Sequence, residues 1–156
     1  MQRVPPGRIV AVRSARLRDY LSPDGKYVVR IFPQGGEGDD MVPSFTVLTR
    51  KAASRTRHTS AGWSAVANFA WVPGKPHTLV VARAGGGDYG SALMLWRGPG
   101  PIVTLLRQGK DAADIDFSLE RVSPDGRMLT YKRYGDDAPV PAGLKTAKPH
   151  TLTLPR

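Results

Sequence analysis

Chemical capacity in this chain is concentrated in three histidines, His58, His77 and His150, and one run of aspartates, Asp111, Asp114 and Asp116. A metal centre or a proton relay needs such groups at short, regular spacing, so that one strand or helix face presents them together. None of the histidines has a second histidine or a carboxylate at metal-ligand spacing, and each reads as a solvated loop or strand-edge residue. The run KDAADIDFSLE misses both the Asp-x-Asp-x-Asp-Gly spacing and the closing glutamate of a calcium loop, so it too reads as solvated. The nearest string to a nucleophile elbow, AGWSAV at 61–66, lacks the second glycine. Gly85, Gly86 and Gly87 in RAGGGDYGS read as a hairpin loop rather than a phosphate cradle, and GKPHT at 74–78 gives up an amide donor to its proline. Cysteine is absent, which removes thiol nucleophiles, thiolate metal sites and disulfides. No catalytic, cofactor-binding or metal-binding residue is assigned from the sequence, and the chain reads as a non-enzyme.

Charge is the second signal. Lys and Arg number 23 against 13 Asp and Glu, a formal net charge of +10. Two basic clusters stand out, one of Arg3, Arg8, Arg13, Arg16 and Arg18, the other of Arg50, Lys51, Arg55, Arg57 and His58. A nucleic-acid partner is one reading of such a balance. Arginines scattered over solvated loops is the favoured one, because neither cluster is interleaved with the aromatic side chains on which bases stack.

The elements that must position these residues follow from composition and repetition. A chain of 156 residues, 40% apolar, fits a single domain with one core. Its 17 Gly and 14 Pro, spread along its length, suit many short strands. No apolar run reaches the roughly 18–20 residues of a membrane span, and the N-terminal IVAV is too short for a secretory signal. As written the chain reads as cytoplasmic; a start further upstream would make it periplasmic or secreted.

Ser-Pro-Asp-Gly occurs at 22–25 and again at 123–126, and VPGK at 72–75 falls midway. Pro23, Pro73 and Pro124 are 50 and 51 residues apart, a period that marks a repeat architecture. Leu21, Trp71 and Val122 stand two residues before each proline and are expected in the core. Proline presets φ, aspartate caps the turn and glycine accepts positive φ, so Asp24 and Asp125 read as turn formers. Strands are expected at 15–22, 27–32 and 44–50, at 64–71, 77–83, 91–97 and 101–107, and at 114–123, 127–134 and 149–155. KAASRTRHT at 51–59 is a weaker, polar strand candidate. The aspartates at 39–40 and 136–137 fall in long linkers and are expected to be exposed. Trp71 and Trp96 read as core, while Trp63 is undetermined.

An apolar residue, Ser-Pro-Asp-Gly, a basic residue and an alternating strand resembles the blade signature of WD-like β-propellers, including the TolB-type propellers and those of prolyl oligopeptidase and dipeptidyl peptidase relatives. The middle copy departs from it by lacking the serine and the aspartate. The resemblance implies an all-β domain over residues 1–156 of three propeller-like blades, at about 8–58, 59–107 and 108–156. It implies a scaffold rather than an activity, hence a non-catalytic binding or assembly module. An accessory or remnant propeller of a hydrolase is the alternative, and a basic nucleic-acid binder the second. Closed propellers have about four to eight blades, so three would leave open flanks. Three resolutions are open: a piece of a longer propeller, an open curved array of sheets, or a dimer completing six blades, and the expected partner is accordingly another protein or a second copy of the chain. In that dimer residues 8–12, RIVAV, which match GPIVTLL at 100–106, are expected to supply the missing outer strand of the partner's third repeat.

Overall fold

Runs such as YVVRIF and TLVVAR are dominated by β-branched and aromatic side chains, which fit a pleated surface better than a helix. In the computed structural model, which describes residues 1–34, 42–53, 66–83, 91–107, 116–134 and 147–156, they are strands. The elements are β1 (Gln2–Arg3), β2 (Val10–Ala11), β3 (Arg18–Leu21), β4 (Tyr27–Gln34), β5 (Val42–Thr49), the helical turn α1 (Arg50–Ala53), β6 (Val66–Trp71), β7 (Thr78–Arg83), β8 (Ala92–Arg97), β9 (Ile102–Arg107), β10 (Asp116–Val122), β11 (Met128–Tyr134) and β12 (Pro149–Thr153). Over the described residues the protein is all-β, in three sheets, none of them closed on itself. Among the described residues no helix is long and apolar enough to cross a membrane.

Each sheet is built on an antiparallel meander: β3-β4-β5, β6-β7-β8-β9 and β10-β11-β12. The sheets pack face to face. Alternate residues of the middle sheet, Phe69, Trp71, Leu79, Val81, Met94 and Trp96, meet Tyr20, Val29, Ile31 and Phe45 of the first. The intervening residues, Ala70, Val80, Ala82, Leu93 and Leu95, meet Phe117, Leu119, Leu129 and Tyr131 of the third. A sheet covered on both faces needs near-continuous apolar strands rather than alternation, and all six residues of β7 are buried.

Two expectations are corrected here. RIVAV stands at a different edge from the one expected: within the chain β2 pairs antiparallel with β6, at an edge of the middle sheet rather than of a third repeat, Val10 opposite Phe69 and Ala11 opposite Asn68. The physical reason is that β6 opens the middle meander with an otherwise free edge, and pairing there turns Val10 and Val12 into the core shared with the first sheet and Ile9 into the core shared with the third. The preceding β1 pairs parallel with β3. One short N-terminal segment thereby covers the first-strand edges of two adjacent sheets. The second correction concerns 51–59, where Arg50–Ala53 forms a helical turn and the remainder lies outside the described residues.

The outer faces of the stack are not bare apolar surfaces. On the first sheet, Val28 and Leu21 are buried against Ala53 of the helical turn, and Arg30 pairs with Asp19 at 2.8 Å while donating to the Ala53 carbonyl. On the third, β12 carries exposed Thr151 and Thr153, and Lys132 faces Glu120 at 3.8 Å.

Candidate functional site

The two Ser-Pro-Asp-Gly turns share one set of hydrogen bonds. Ser22 N–H donates to the Tyr27 carbonyl and Gly25 N–H to the Ser22 carbonyl, both at 2.9 Å; Ser123, Met128 and Gly126 repeat both bonds at the same length. The serine hydroxyl donates to the aspartate, at 2.7 Å for Ser22 and Asp24 and 2.6 Å for Ser123 and Asp125. It accepts from the first strand residue, Tyr27 N–H or Met128 N–H. The same aspartate oxygen accepts from the next backbone N–H, of Lys26 or Arg127. Gly25 and Gly126 take φ of 72° and 71°, which only glycine adopts without strain. Both aspartates are thus turn formers, as their sequence context implies.

The middle turn differs in length. It closes from Val72 N–H to the Thr78 carbonyl at 2.9 Å, one residue longer than the other two. The extra residue is His77, which sits in the left-handed region at φ 58°, while its carbonyl accepts from Gly98 N–H. A non-glycine residue held there costs roughly 1 kcal/mol or more and calls for a compensating interaction. That interaction is long-range: His77 Nε2 lies 2.6 Å from Asp24 Oδ2, so the first and middle turns are joined side chain to side chain. The ring also stands edge-on to Tyr27 at 4.8 Å, and Tyr27 stands edge-on to Trp96 at 4.9 Å.

Beside this pair lies a cleft of about 270 Å³, walled by Pro6, Pro23, Asp24, Val72, Gly74, Lys75, Pro76 and His77, with Trp71 behind it. Three prolines make its walls stiff. Arg3 donates to the Pro23 carbonyl at 3.3 Å and Lys75 to the Pro155 carbonyl at 3.3 Å, so the N- and C-terminal segments brace the rim on either side.

Partial burial pushes the Asp24 carboxyl up, but hydrogen bonds from Ser22, the Lys26 N–H and His77 outweigh it and hold the group at about 2, against an ordinary 3.8. Asp125 is lowered as well, by Ser123 first and then by the Arg127 N–H. A depressed carboxylate stabilises the fold above its unfolded-state value and loses that contribution as pH falls through its folded value. The stability difference between wild type and Asp24→Asn is therefore expected to shrink towards zero as pH falls from 4 to about 2. Because the carboxylate is 35% exposed, screening limits that difference to about 1 kcal/mol. Urea unfolding across that range checks it; a difference that grew on acidification would count against the assignment.

The order Ser22–Asp24–His77 is not a hydrolytic relay. In a relay the imidazole stands between hydroxyl and carboxylate and takes the hydroxyl proton; here the carboxylate stands in the middle and accepts from both sides. Ser22 is 1% exposed, so its oxygen is also out of reach of a substrate. Among the described residues no group of three or more His, Asp or Glu converges on one point.

The other sequence candidates are placed as follows. His150 stacks on Tyr131 at 5.5 Å. Asp116 accepts from Ser91 at 3.0 Å. Trp71 and Trp96 are core residues, 1% and 7% exposed. His58, Trp63, Asp111, Asp114, the glycines at 85–87 and the aspartates at 39–40 and 136–137 lie outside the described residues. The pairing of Asp24 with His77 spans 53 residues and is invisible to a search for local spacing. The signal that could have found it is the middle turn's missing aspartate and additional residue, which set that turn apart from its two neighbours. No family model, no curated protein and no solved structure matches the chain.

Proposed function

We propose that the chain is a non-catalytic binding module of three propeller-like blades, and that it receives an apolar side chain of a protein partner in the cleft between its first and middle turns. The face-to-face stacking of three meanders supports the propeller-like reading, as does the like geometry of the two Ser-Pro-Asp-Gly turns. The observation that carries the binding reading is the cleft: concave, mainly apolar, stiffened by proline, with a few polar groups at its edge, which is the usual build of a recognition pocket. The polar groups are already engaged. Asp24 accepts from Ser22, Lys26 and His77, so it shapes the wall rather than waiting for a proton. What remains for a ligand is apolar surface.

A titration of the ¹⁵N-labelled protein with N-acetyl-tryptophanamide and N-acetyl-leucinamide tests this. Saturable shifts are expected at the amides of Gly74, Lys75 and His77, with weak affinity for such small probes. A Cβ at Gly74 would meet open space, and its φ of +69° is one that asparagine adopts at a cost of roughly 1 kcal/mol, less than other side chains. Gly74→Asn is therefore expected to leave the fold intact and to weaken both probes several-fold. Shifts scattered over the whole surface, or none, would remove the cleft as a binding site.

A further inference from the structure

A second concavity, sharing no residue with the rim cleft, lies where the chain passes from β2 in the middle sheet to β3 in the first. It holds about 120 Å³, and its mouth carries Arg13, Ser14, Arg16 and Arg18 over a floor that includes Tyr20 and Ile31. All four mouth residues are exposed, whereas Tyr20 and Ile31 are 7% and 1% exposed. Three guanidinium groups on six consecutive residues would ordinarily be spread out by mutual repulsion or neutralised by carboxylates. Among the described residues none of the three is in an ion pair. The nearest carboxylate in sequence, Asp19, follows strand alternation to the opposite face of the sheet from Arg18, where Arg30 already holds both of its oxygens at 2.8 Å.

From this arrangement we infer that the concavity between β2 and β3 binds a phosphate group, with Arg13, Arg16 and Arg18 as its cationic ligands and Ser14 as a hydroxyl donor. Guanidinium is the side chain best suited to this: it is planar, always charged and able to donate two parallel hydrogen bonds to one oxyanion. The buried floor sets a limit on depth, so the site takes a single tetrahedral oxyanion rather than an extended anion lying inside it. The phosphate can come from free inorganic phosphate or from the backbone of a single-stranded nucleic acid passing over the site. The chain's overall charge of +10 would draw either one in.

The test uses the full chain and two probes: inorganic phosphate, followed by NMR shifts at residues 11–20, and fluorescein-labelled dT12, followed by anisotropy at several salt concentrations. Arg13→Gln, Arg16→Gln and Arg18→Gln are combined in one variant. A control variant combines Arg107→Gln, Arg121→Gln and Arg127→Gln, which are also exposed and remove the same charge. The site variant is expected to weaken phosphate at least tenfold, and the control less than threefold. If dT12 binds more tightly than phosphate, and the site variant makes its salt slope shallower by about 2, from three contacts at roughly 0.7 each, the source is nucleic acid. If dT12 gains nothing over phosphate, the source is the free ion. Equal losses in the two variants would mean diffuse attraction to a basic surface and would overturn the inference, as would no binding of either probe. Should the triple variant fail to fold, Arg16→Gln alone, in the connecting segment, is expected to weaken phosphate about threefold against no change for Arg121→Gln.

Discussion

Asn68→Ala is expected to lower the free energy of unfolding by about 3–4 kcal/mol. Asn68 is 7% exposed and sits on β6, where the strand's register with β7 shifts between Val66 and Asn68. Its amide nitrogen donates to the Ser118 hydroxyl at 3.0 Å and to the Leu119 carbonyl at 3.1 Å, and its amide oxygen accepts from Leu119 N–H at 3.0 Å. Leu119 is where β10 has its own register shift against β11. A bulge leaves backbone groups without their ladder partners, and the Asn68 amide presents Leu119 with the donor and acceptor of a neighbouring strand. One side chain thus joins the first strands of two sheets. Truncation leaves a buried N–H and a buried carbonyl unsatisfied, at about 1–3 kcal/mol each. Ser118→Ala removes a single bond and keeps both backbone bonds, so about 1 kcal/mol is expected. Urea unfolding at constant m-value measures both. A cost for Asn68→Ala no greater than that for Ser118→Ala would show that the amide does not join the sheets.

Asn68 also marks the limit of what could be read from the sequence. The ten strand positions expected from turn signals and β-branched runs all hold strands, because local propensity and turn chemistry act over a few residues and Pro23, Gly25, Pro124 and Gly126 punctuate them clearly. Trp71 and Val122 are buried where the pre-turn position implies. What was not legible is everything that joins one meander to the next. Asn68 has nothing in its own stretch, VANFAW, to distinguish it from a surface asparagine; its partners are 50 and 51 residues away. His77 likewise shows its role only against Asp24. RIVAV reads correctly as a strand, but its resemblance to 100–106 points to an outer edge, whereas it occupies a first-strand edge of the same sheet as β9. Edge choice depends on which edges the folded sheets leave free, and that is a tertiary fact.

Deleting residues 1–12 is expected to abolish cooperative folding at 25 °C. Outside regular ladders the segment makes three backbone bonds to the rest of the described chain: Val4 N–H to the Leu21 carbonyl at 2.9 Å, Gly7 N–H to the Trp71 carbonyl at 2.7 Å and Val12 N–H to the Ala67 carbonyl at 2.9 Å. The β1–β3 and β2–β6 pairings add to them. Val4, 1% exposed, fills the core between the first and middle sheets beside Tyr20 and Trp71. Burying one valine contributes about 1.5–3 kcal/mol and each hydrogen bond about 1 kcal/mol. Together with the re-exposed edges, their loss consumes most of the roughly 5–15 kcal/mol a domain possesses. Val12→Pro, which removes one of those donors, is expected to cost about 2–3 kcal/mol. A synthetic peptide of residues 1–12 added in trans is expected to restore a cooperative transition to the truncated chain, because the edges of β3 and β6 are the only template it needs. Light scattering of the full chain is expected to give a mass near 16.9 kDa, since the segment is used within its own molecule. A mass twice that, falling to the monomer value on truncation while the fold survives, would mean that the segment pairs across two copies instead.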